Sequence, residues 1–386
     1  MRHAEKSPLY PWFFVLLLLF LTRAAWAEEP LDPARAVRDD DAGLLWYDVR
    51  QLDVEGQGFR DTKADFDRLP ARAKGVVRDA VWNLSRDSAG ICVRFVTDAS
   101  TIHARWTLIS RRLAMPHMAA TGVSGLDLYV KADDGRWRWL ATGRPTKFPE
   151  NNVRLVTGIT AKRREYRLYL PLYNGVSSVA LGVPAASHVW QAPPRDAGHA
   201  KPLVFYGTSI TQGGCASRPG MVHTAILGRR LDRPVINAGF SGNGRMEAEV
   251  GRFLAEIDAA VFVIDCLPNL NPAQVAQRTE PLVRLLRQSR PDTPILLVED
   301  RSYANAYLVA SSRQRNEGNR KALRAAYERL VQAGVKGLYY LDGAHLIGDD
   351  SEGTVDGSHP TDLGFVRQSD AFEPILRKIL QPSGSP

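Results

Sequence analysis

Cysteine is scarce in this chain, with three residues among 386. Cys92 lies in an apolar, strand-like run, which predicts a buried thiol. Cys215 and Cys266 fall near the ends of two predicted strands, where they either pair in a disulfide or remain free thiols. No spacing of Cys and His resembles a zinc site, so the sequence implies neither a metal nor another cofactor.

Long apolar runs are missing after residue 27. Before that point, Arg2 and Lys6 precede the unbroken apolar run 12–21 and the small-residue end Ala25–Ala27. This order is typical of a signal peptide, so we expect residues 1–27 to be cleaved and the protein to be secreted or periplasmic. The alternative, an uncleaved anchor, needs a longer apolar run. After cleavage, the sequence predicts no membrane span.

Concentrated positive charge is lacking as well. The net charge is +8, and it becomes +6 because the predicted signal peptide removes three basic residues and one acid. The remaining Lys and Arg residues are scattered rather than grouped beside a recognition motif, which argues against a nucleic-acid partner. Hydrophobic residues make up 44% and charged residues 24% of the chain, as in ordinary globular proteins with a sizeable core.

Two patterns of hydrophobicity divide the rest of the chain. Over residues 28–184, apolar and polar residues alternate in short runs such as Ile102–Leu108, and turn residues separate the runs. This period of two predicts an antiparallel, jelly-roll-like β-sandwich. Proline and glycine are frequent over 185–202, which we interpret as a linker between domains.

Over residues 203–381, apolar strands alternate with helical patterns. The predicted strands are 203–206, 234–237, 260–265, 294–299 and 337–341, and the predicted helices are 220–231, 245–256, 272–288, 312–333 and 363–380. Such a series of βα units implies a parallel sheet covered by helices on both faces. Residues 382–386 are expected to form a frayed tail.

The most informative motif is Gly207–Gln212, which follows the apolar run 203–206 and precedes a helical pattern. A serine between a buried strand and a helix lies at the edge of an α/β sheet where ligands bind. Ser209 is therefore a candidate nucleophile beside backbone N–H groups that can stabilise an oxyanion. The alternative is a turn in which Ser209 only caps a helix.

Later segments contain the other groups that a serine nucleophile needs. His359 can accept the serine proton, and Asp356, three residues earlier, can orient the imidazole. Gly242 can offer its N–H to an oxyanion, and the Asn269 amide can be a second donor. Each has a plainer alternative: an exposed loop for the Asp–His pair, a simple turn for Gly242 and a helix cap for Asn269. All four follow strands or lie on the final loop, where a parallel sheet forms its site.

These residues, in this order, resemble the four sequence blocks of the SGNH hydrolases, also called the GDSL esterase/lipase superfamily. The resemblance covers about residues 202–380 and implies a flavodoxin-like, three-layer α/β/α fold. By that resemblance Ser209 is the nucleophile, His359 the base and Asp356 its carboxylate partner. The oxyanion donors are then the N–H groups of Ser209 and Gly242 and the side chain of Asn269.

The chain departs from the family pattern at two points. Thr208 stands where an aspartate usually precedes the serine, and Leu267–Asn269 replaces Gly-x-Asn-Asp. Both changes resemble a bacterial subgroup whose N-terminal β-domain carries a Gly-x-Asp-Leu-Tyr signature, which stands here at Gly125–Tyr129. Relatives in which a jelly-roll precedes this hydrolase domain resemble carbohydrate esterases that remove acetyl groups from polysaccharides.

Two further residues are candidates for substrate contact. His117 precedes the signature strand and is predicted to face the cleft at the domain junction, with a purely structural role as the alternative. Arg218, in the loop after the nucleophile, suits an anionic or hydroxylated substrate, with a solvated side chain as the alternative. The signature strand itself alternates like a core strand, so we interpret it as a packing element.

Together these features predict a secreted serine esterase for small O-acyl esters, with carbohydrate O-acetyl groups as the expected substrate. Its partner is then an acylated small molecule or glycan, with no cofactor. One alternative is a lipid or thioester acylhydrolase of the same fold, because fold does not determine substrate. The other is a glycan-binding protein that has lost catalysis, against which the intact Ser209, His359 and Asp356 argue.

Overall fold

The computed structural model describes residues 29–381. The predicted signal peptide, residues 1–27, and the predicted tail, residues 382–386, lie outside the described residues. The strands of the N-terminal half are β1 (Val37–Asp39), β2 (Leu44–Asp48), β3 (Asp53–Glu55), β4 (Cys92–Thr97), β5 (Thr101–Leu108), β6 (Leu126–Lys131), β7 (Trp137–Gly143), β8 (Glu150–Thr157), β9 (Arg164–Tyr169), β10 (Val176–Pro184) and β11 (Val189–Gln191). Two short helices interrupt them, α1 (Asp79–Leu84) and α2 (Ala120–Val123).

These strands form two antiparallel sheets. One has the order β1-β2-β10-β5-β8, and the other has the order β11-β4-β9-β6-β7, with β3 paired to β4. The predicted alternation is clearest in β5, where Ile102, Ala104 and Trp106 are buried and the residues between them are half-exposed. Inward-facing residues of both sheets share one hydrophobic core, so the predicted all-β sandwich is confirmed.

The sandwich extends into the segment 185–202 that the sequence predicts as a linker. Its edge strand β11 pairs with β4, and Val189 is fully buried in the sandwich core. Arg195, four residues beyond β11, donates a hydrogen bond to Glu55 at 2.6 Å. The short helix α3 (Ala197–Ala200) then leads to the second domain. The connection is therefore tied to the first domain over most of its length.

The second domain contains every strand and helix that the sequence predicts, with ends shifted by a few residues. The strands are β12 (Leu203–Gly207), β13 (Val235–Gly239), β14 (Val261–Asp265), β15 (Ile295–Val298) and β16 (Leu338–Leu341). The helices are α4 (Ser209–Gln212), α5 (His223–Arg230), α6 (Ala248–Leu254), α7 (Pro272–Ser289), α8 (Ala310–Gln332) and α9 (Asp362–Leu380). Among residues 29–381, no helix is both long and apolar enough to cross a membrane.

The strands form a parallel sheet in the order β13-β12-β14-β15-β16. Helices α5 and α9 pack together on one face, and α6, α7 and α8 cover the other, which gives the predicted three-layer α/β/α arrangement. In the sheet register, Gly207 at the end of β12 lies beside Gly239 on one side and Asp265 on the other. The loops that follow these three strands therefore begin side by side at one edge.

Two hydrophobic clusters cross from one domain to the other. In the first, Leu69 and Trp82 of the N-terminal half share a core with Ile236 and Phe253. In the second, Tyr129, Tyr169 and Leu172 pack with Ile210, Val222 and Ile226. Because burial of apolar surface is the main favourable term in folding, the two domains stabilise each other.

All three cysteines are buried free thiols. The disulfide between Cys215 and Cys266, which the sequence left open, is absent; the Cys266 thiol instead donates to the Tyr206 carbonyl at 3.4 Å. Burial raises the pKa of both Cys92 and Cys215 to about 12. These two thiols therefore stay protonated, which removes their nucleophilic form.

Candidate active site

The loop after β12 presents Ser209 at the carboxyl edge of the parallel sheet. Ser209 is the first residue of α4, and 7% of its surface is exposed. A side chain at position 207 would collide with that of Thr211, so this tight strand-to-helix turn requires Gly207. The hydroxyl of Thr208 accepts a hydrogen bond from the Ile210 N–H at 3.3 Å, so this departure from the family pattern still supplies a helix cap.

Three of the predicted side chains form one chain of hydrogen bonds. Ser209 Oγ lies 2.8 Å from His359 Nε2, and His359 Nδ1 lies 2.7 Å from Asp356 Oδ2. The other carboxylate oxygen of Asp356 accepts from the backbone N–H groups of Ser358 and His359, at 3.1 and 2.8 Å. The loop before α9 thus holds the carboxylate and the imidazole in one turn, with the ring aimed at the serine.

The protonation state of Asp356 determines the tautomer of His359. Burial raises the pKa of Asp356, but hydrogen bonds from the His359 N–H, its imidazole and the Ser358 N–H outweigh burial and lower it below its usual value. The ionised carboxylate only accepts hydrogen bonds, so His359 Nδ1 carries the proton. In the neutral ring Nε2 is then an acceptor, and the Ser209 hydroxyl donates to it.

The two predicted oxyanion donors lie on adjacent loops. Gly242, in the turn after β13, has a positive φ of 68°, which glycine adopts freely. Within residues 29–381, neither its N–H nor that of Ser209 has a hydrogen-bond acceptor. Asn269 Oδ1 accepts from the Gly244 N–H at 3.2 Å, which leaves the amide N–H groups of Asn269 as donors. Gly244 itself packs against the backbone of Gly207 and Thr208, so these groups surround the serine turn.

The structure shows that Asn269 does not cap helix α7. Helix α7 is capped by Asn271, whose side chain accepts from the Gln274 N–H at 2.9 Å while the Gln274 side chain accepts from the Asn271 N–H at 3.0 Å. This reciprocal pair is a capping box. Asn269 lies two residues earlier, at the end of the 3-10 helix Leu267–Asn269, and has no part in the cap.

One side chain without a predicted role connects α4, which begins at Ser209, to the turn after β13 that contains Gly242. We call this turn the oxyanion turn, after its proposed role. Gln212, fully buried at the end of α4, accepts a hydrogen bond from the Ser241 N–H at 3.0 Å. Its amide nitrogen donates to Asp87 at 2.9 Å and to the Leu172 carbonyl at 3.1 Å, both in the N-terminal half. Burial raises the pKa of Asp87 to about 6, against the opposing effects of Arg68 and of the Gln212 hydrogen bond.

Two more residues of the N-terminal half hold the same loops. The buried guanidinium of Arg68 donates to the carbonyls of Asn237 and Gly239, at 3.0 and 2.7 Å, where β13 leads into the oxyanion turn. The Tyr173 hydroxyl donates to the Ser209 carbonyl at 3.1 Å. The β-sandwich domain therefore positions the backbone on both sides of the site.

No sequence motif identifies these supporting residues. Gln212 belongs to the predicted motif, but its partner Asp87 lies 125 positions away in the sequence, in a polar segment that is typical of a turn. Arg68 and Tyr173 are single polar residues without a motif. Their role depends on the contact between domains, which the sequence pattern alone does not define.

His117 comes from the β-domain and lies beside the proposed base. Its ring centroid is 5.8 Å from that of His359, with the two rings edge-on, and its side chain is exposed. A backbone pairing between Met115 and Met118 fixes the loop that carries it. His117 thus lies beside His359, and its contact with a substrate stays a prediction.

Arg218 is paired with the signature strand of the β-domain. Its guanidinium lies 2.7 Å from Asp127 and 2.5 Å from the Tyr129 hydroxyl, both in the signature strand. Asp127 is fully buried and also accepts from the Gly220 N–H at 2.8 Å. Arg218 thus ties the two domains through a buried carboxylate of the signature strand, while its contact with a substrate stays a prediction.

The chemistry available at the site follows from its side chains. Among the described residues, no three His, Cys, Asp or Glu side chains cluster in a way that could hold a metal ion. The groups present are a hydroxyl, an imidazole, a carboxylate and several N–H donors. Together they can activate the serine, accept its proton and stabilise negative charge on a carbonyl oxygen.

Comparisons with known families agree with this geometry. The sequence profile of the GDSL-like lipase/acylhydrolase family matches residues 200–377. The profile of the N-terminal domain of SGNH-type esterases, named GxDLY, matches residues 44–189. No curated protein sequence matches the chain. The two profiles together cover both domains.

Solved structures agree as well. A family two carbohydrate esterase from Clostridium thermocellum, in complex with cellohexaose, shares the fold at 14% identity and a TM-score of 0.56, over 76% of this chain and 93% of its own. The salicylyl-acyltransferase SsfX3 of a tetracycline biosynthetic pathway also shares the fold. It is 16% identical, with a TM-score of 0.68, over 89% of this chain and 97% of its own. A protein from Bacteroides ovatus described as a GDSL-like lipase is 34% identical, with a TM-score of 0.82, over 87% of this chain and 98% of its own. This chain therefore belongs to the GDSL-like lipase/acylhydrolase family of SGNH-type carboxylic ester hydrolases.

Proposed function

We propose that this esterase removes acetyl groups from a glycan, with Ser209 as nucleophile, His359 as general base and Asp356 as its orienting carboxylate. The observation that carries the proposal is the chain of hydrogen bonds at 2.8 and 2.7 Å that joins these three side chains. A base can take a proton in the transition state when it lies within hydrogen-bond reach, as Nε2 of His359 does.

The first half of the reaction forms an acyl-enzyme. Ser209 Oγ attacks the carbonyl carbon of the ester while its proton passes to His359 Nε2. The carbonyl oxygen becomes an oxyanion, which accepts hydrogen bonds from the N–H groups of Ser209 and Gly242 and from the Asn269 amide. The imidazolium then gives its proton to the sugar oxygen as the ester C–O bond breaks. The deacetylated sugar leaves, and the acetyl group stays on Ser209.

The second half repeats these steps with water. His359 takes a proton from a water molecule whose oxygen attacks the acetyl carbon, and the same donors stabilise the oxyanion. Ser209 Oγ regains a proton from the imidazolium as its bond to the acetyl carbon breaks, and acetic acid leaves. Throughout, ionised Asp356 keeps the Nδ1 proton in place and stabilises the imidazolium.

The polar rim supports a hydroxylated substrate rather than a long acyl chain. His117 and Asp356 are exposed next to the nucleophile, and Ser358 between the carboxylate and the base is half-buried. These groups can hydrogen-bond sugar hydroxyls, whereas a lipid chain would need an apolar channel. The fold shared with family two carbohydrate esterases points in the same direction.

We also propose that the protein acts outside the cytoplasm. The order of basic, apolar and small residues over 1–27 supports this proposal. The proposed glycan substrate supports it too, because a polysaccharide outside the cell is accessible only to an exported enzyme. Expression of the full chain in a bacterial host, followed by mass spectrometry of the fractionated protein, tests it. A first residue at Glu28 in the periplasm or medium supports the proposal, and an uncleaved cytoplasmic chain contradicts it.

The substrate proposal is tested on the protein that begins at Glu28. Rates are measured on p-nitrophenyl acetate, on p-nitrophenyl palmitate and by acetate release from chemically acetylated xylan and glucomannan. Ser209→Ala is expected to lose a factor on the order of 10⁴ or more, whereas Ser311→Ala, an exposed serine on α8, keeps wild-type rates.

The alternatives give different results in the same assays. A preference for the palmitate ester would assign the protein to lipid hydrolysis. Glycan binding without hydrolysis of any ester would make it a binding protein. Near wild-type turnover in Ser209→Ala would mean that another residue is the nucleophile.

A further inference from the structure

A second cleft opens at the same edge of the sheet as Ser209. It has a volume of about 760 Å³ and lies between the loop that follows β15 and the loop that follows β16. Tyr303, Tyr307 and Arg313 form one wall, and His345, Asp349 and Glu352 contribute to the other. Both loops leave carboxyl ends of parallel strands, the region where α/β sheets bind ligands.

Hydrogen bonds join this cleft to the loop that carries the proposed base. The Ala304 N–H donates to the carbonyl of Gly357 at 2.9 Å, and Gly357 directly follows Asp356. The Ser351 hydroxyl, from the opposite wall, donates to the Ala304 carbonyl at 2.9 Å. A ligand in the cleft therefore lies next to the loop that carries Asp356 and His359.

The walls of the cleft expose groups that a folded protein normally covers or pairs. Tyr307 is 73% exposed and the neighbouring Leu308 is 75% exposed. Within the part of the chain that the structure describes, the hydroxyls of Tyr303 and Tyr307 and the ring nitrogens of His345 make no hydrogen bond. Exposed aromatic side chains beside unpaired polar groups are typical of binding clefts.

The backbone of the first wall is nevertheless fixed. The Tyr303 N–H donates to the Asn316 side chain on α8 at 2.8 Å, and Arg313 donates to the Ala306 carbonyl at 3.2 Å. These contacts tie the loop, at two positions just before Tyr307, to α8. A preorganised wall loses little conformational freedom when a ligand binds, which favours affinity.

The cleft has more acidic than basic side chains, with Asp349, Asp350 and Glu352 against Arg313, so it disfavours anionic ligands. Asp350 is paired with Arg367 at 2.7 Å, but Asp349 and Glu352 form no ion pair among residues 29–381. Their carboxylates would repel a phosphate or a uronic acid, whereas they accept hydrogen bonds from neutral hydroxyls. Two free carboxylates also oppose a buried lipid chain.

We propose that this cleft is a subsite for a neutral sugar unit of the glycan, next to the unit whose acetyl ester meets Ser209. The inference rests on the proposed glycan esterase function and specifies the substrate as a neutral polysaccharide. A pyranose ring presents apolar C–H groups on its faces and hydroxyls at its edge. Its face stacks on Tyr307, while Tyr303, His345 and Glu352 bind its hydroxyls.

Binding to an inactive enzyme tests the subsite without any turnover. In the Ser209→Ala background, calorimetry measures the affinity for xylohexaose, mannohexaose and cellohexaose, with hexagalacturonate as the acidic comparison. At least one neutral hexasaccharide is expected to bind, and hexagalacturonate more weakly. Adding Tyr307→Ala is expected to lower the affinity for the neutral hexasaccharide roughly three- to tenfold, which is the contribution of one aromatic contact. Tyr307→Phe is expected to keep most of that affinity, because it keeps the aromatic ring.

Kinetics on the active enzyme separate this proposal from the previous one. Tyr307→Ala is expected to raise KM for the acetylated polysaccharide by a similar factor, with kcat and all rates on p-nitrophenyl acetate unchanged. Val331→Ala, an exposed position at the far end of α8, serves as the surface control. Unchanged hexasaccharide affinity in Tyr307→Ala, or no binding at all, overturns the subsite. Binding by Ser209→Ala together with a wild type that releases no acetate from any glycan overturns the esterase proposal instead.

Discussion

The side-chain amide of Gln212 donates a hydrogen bond to the carboxyl group of Asp87 at 2.9 Å, across the boundary between the two domains. The same side chain accepts from the Ser241 N–H at 3.0 Å. Gly242, the proposed oxyanion donor, directly follows Ser241. The β-sandwich domain therefore acts on the oxyanion turn through one buried glutamine.

Loss of either partner is expected to slow the chemical step. Gln212→Ala and Asp87→Ala should each lower kcat on p-nitrophenyl acetate roughly 10- to 100-fold, less than direct loss of an oxyanion donor, with KM less affected. Asp87→Asn should recover part of the rate because its amide oxygen still accepts from Gln212. The thermal midpoint of each variant is measured alongside to separate misfolding from misplacement.

The double variant Gln212→Ala/Asp87→Ala distinguishes a shared function from two separate ones. If both residues act through the same hydrogen bond, the second substitution costs much less than the first. Fully additive losses in kcat would mean that Asp87 and Gln212 affect the site independently.

Burial of Asp87 predicts a pH dependence of stability. Its pKa of about 6 in the folded protein lies above the usual value, so the folded state binds more protons between about pH 4 and 6. The contribution of Asp87 to stability is therefore full at low pH and is lost as pH rises through 6. The stability lost over that window is about 3 kcal/mol, because the pKa of Asp87 rises from 3.8 to about 6 on folding.

Denaturant unfolding of the wild type and of Asp87→Asn at a series of pH values measures this effect. The free energy of unfolding of the wild type, minus that of the variant, should fall as pH rises from 4 to 6.5 and then level off. The subtraction removes other titrating groups, which both proteins share. A constant difference would mean that Asp87 has an ordinary pKa in the folded state.

Local sequence patterns were sufficient to predict the fold and to single out side chains that meet at one edge of the sheet. The period-two runs around Ile102–Leu108 and the βα alternation after Leu203 correspond to the observed strands, because both patterns record which face of an element is buried. Ser209, Asn269 and His359 stand at ends of strands or on the final loop, so topology alone brings them to one edge.

What could not be predicted depends on contacts between distant segments. The ion pair between Arg218 and Asp127 joins two domains, and in the sequence Asp127 is only a polar position in a strand. The sequence places Cys215 and Cys266 near the ends of two strands, but that position does not determine the direction of their side chains. The exposure of Tyr307 likewise follows from loop packing, which has no periodic signal.

Asn269 and Asn271 provide a matched pair of substitutions. Asn269→Ala removes a proposed oxyanion donor, so kcat should fall roughly 10²- to 10³-fold with little change in KM or stability. Asn271→Ala removes the cap of α7 and should cost about 1 kcal/mol of stability while kcat stays near wild type. Steady-state kinetics and denaturant unfolding of both variants test this. The reverse pattern, with kcat sensitive to Asn271 and not to Asn269, would exclude Asn269 from the oxyanion site.

The lowered pKa of Asp356 predicts the shape of the acid limb of activity. Although burial opposes ionisation, hydrogen bonds from His359 and Ser358 keep the carboxylate ionised below its usual range. Asp356 therefore stays ionised above about pH 4 and adds no proton of its own to the acid limb, so the slope of log(kcat/KM) there should not exceed one. A slope of two would show that Asp356 also titrates there. Asp356→Asn should cost about 10⁴-fold in kcat because it favours the wrong tautomer of His359.

The last prediction concerns the dependence of catalysis on the β-domain. A chain that begins at Ala200 lacks the Tyr173 hydroxyl that holds the Ser209 carbonyl and the Arg68 side chain that holds the end of β13. It also exposes apolar residues such as Ile210, which the first domain buries.

We therefore expect the Ala200 chain to be inactive even on p-nitrophenyl acetate, and to aggregate or unfold at a lower temperature. Co-expression with residues 28–192 should restore activity, because the missing contacts are non-covalent and the shared apolar surface drives the two halves together. The matched control is co-expression with the same N-terminal piece carrying Tyr173→Phe, which keeps the apolar contacts and removes the hydrogen bond to Ser209. Recovery of folding with a reduced kcat in that control would separate positioning of the nucleophile from simple stabilisation. Full activity of the Ala200 chain by itself would instead make the β-domain an independent module, and the network through Arg68, Asp87 and Tyr173 would then have no role in the reaction.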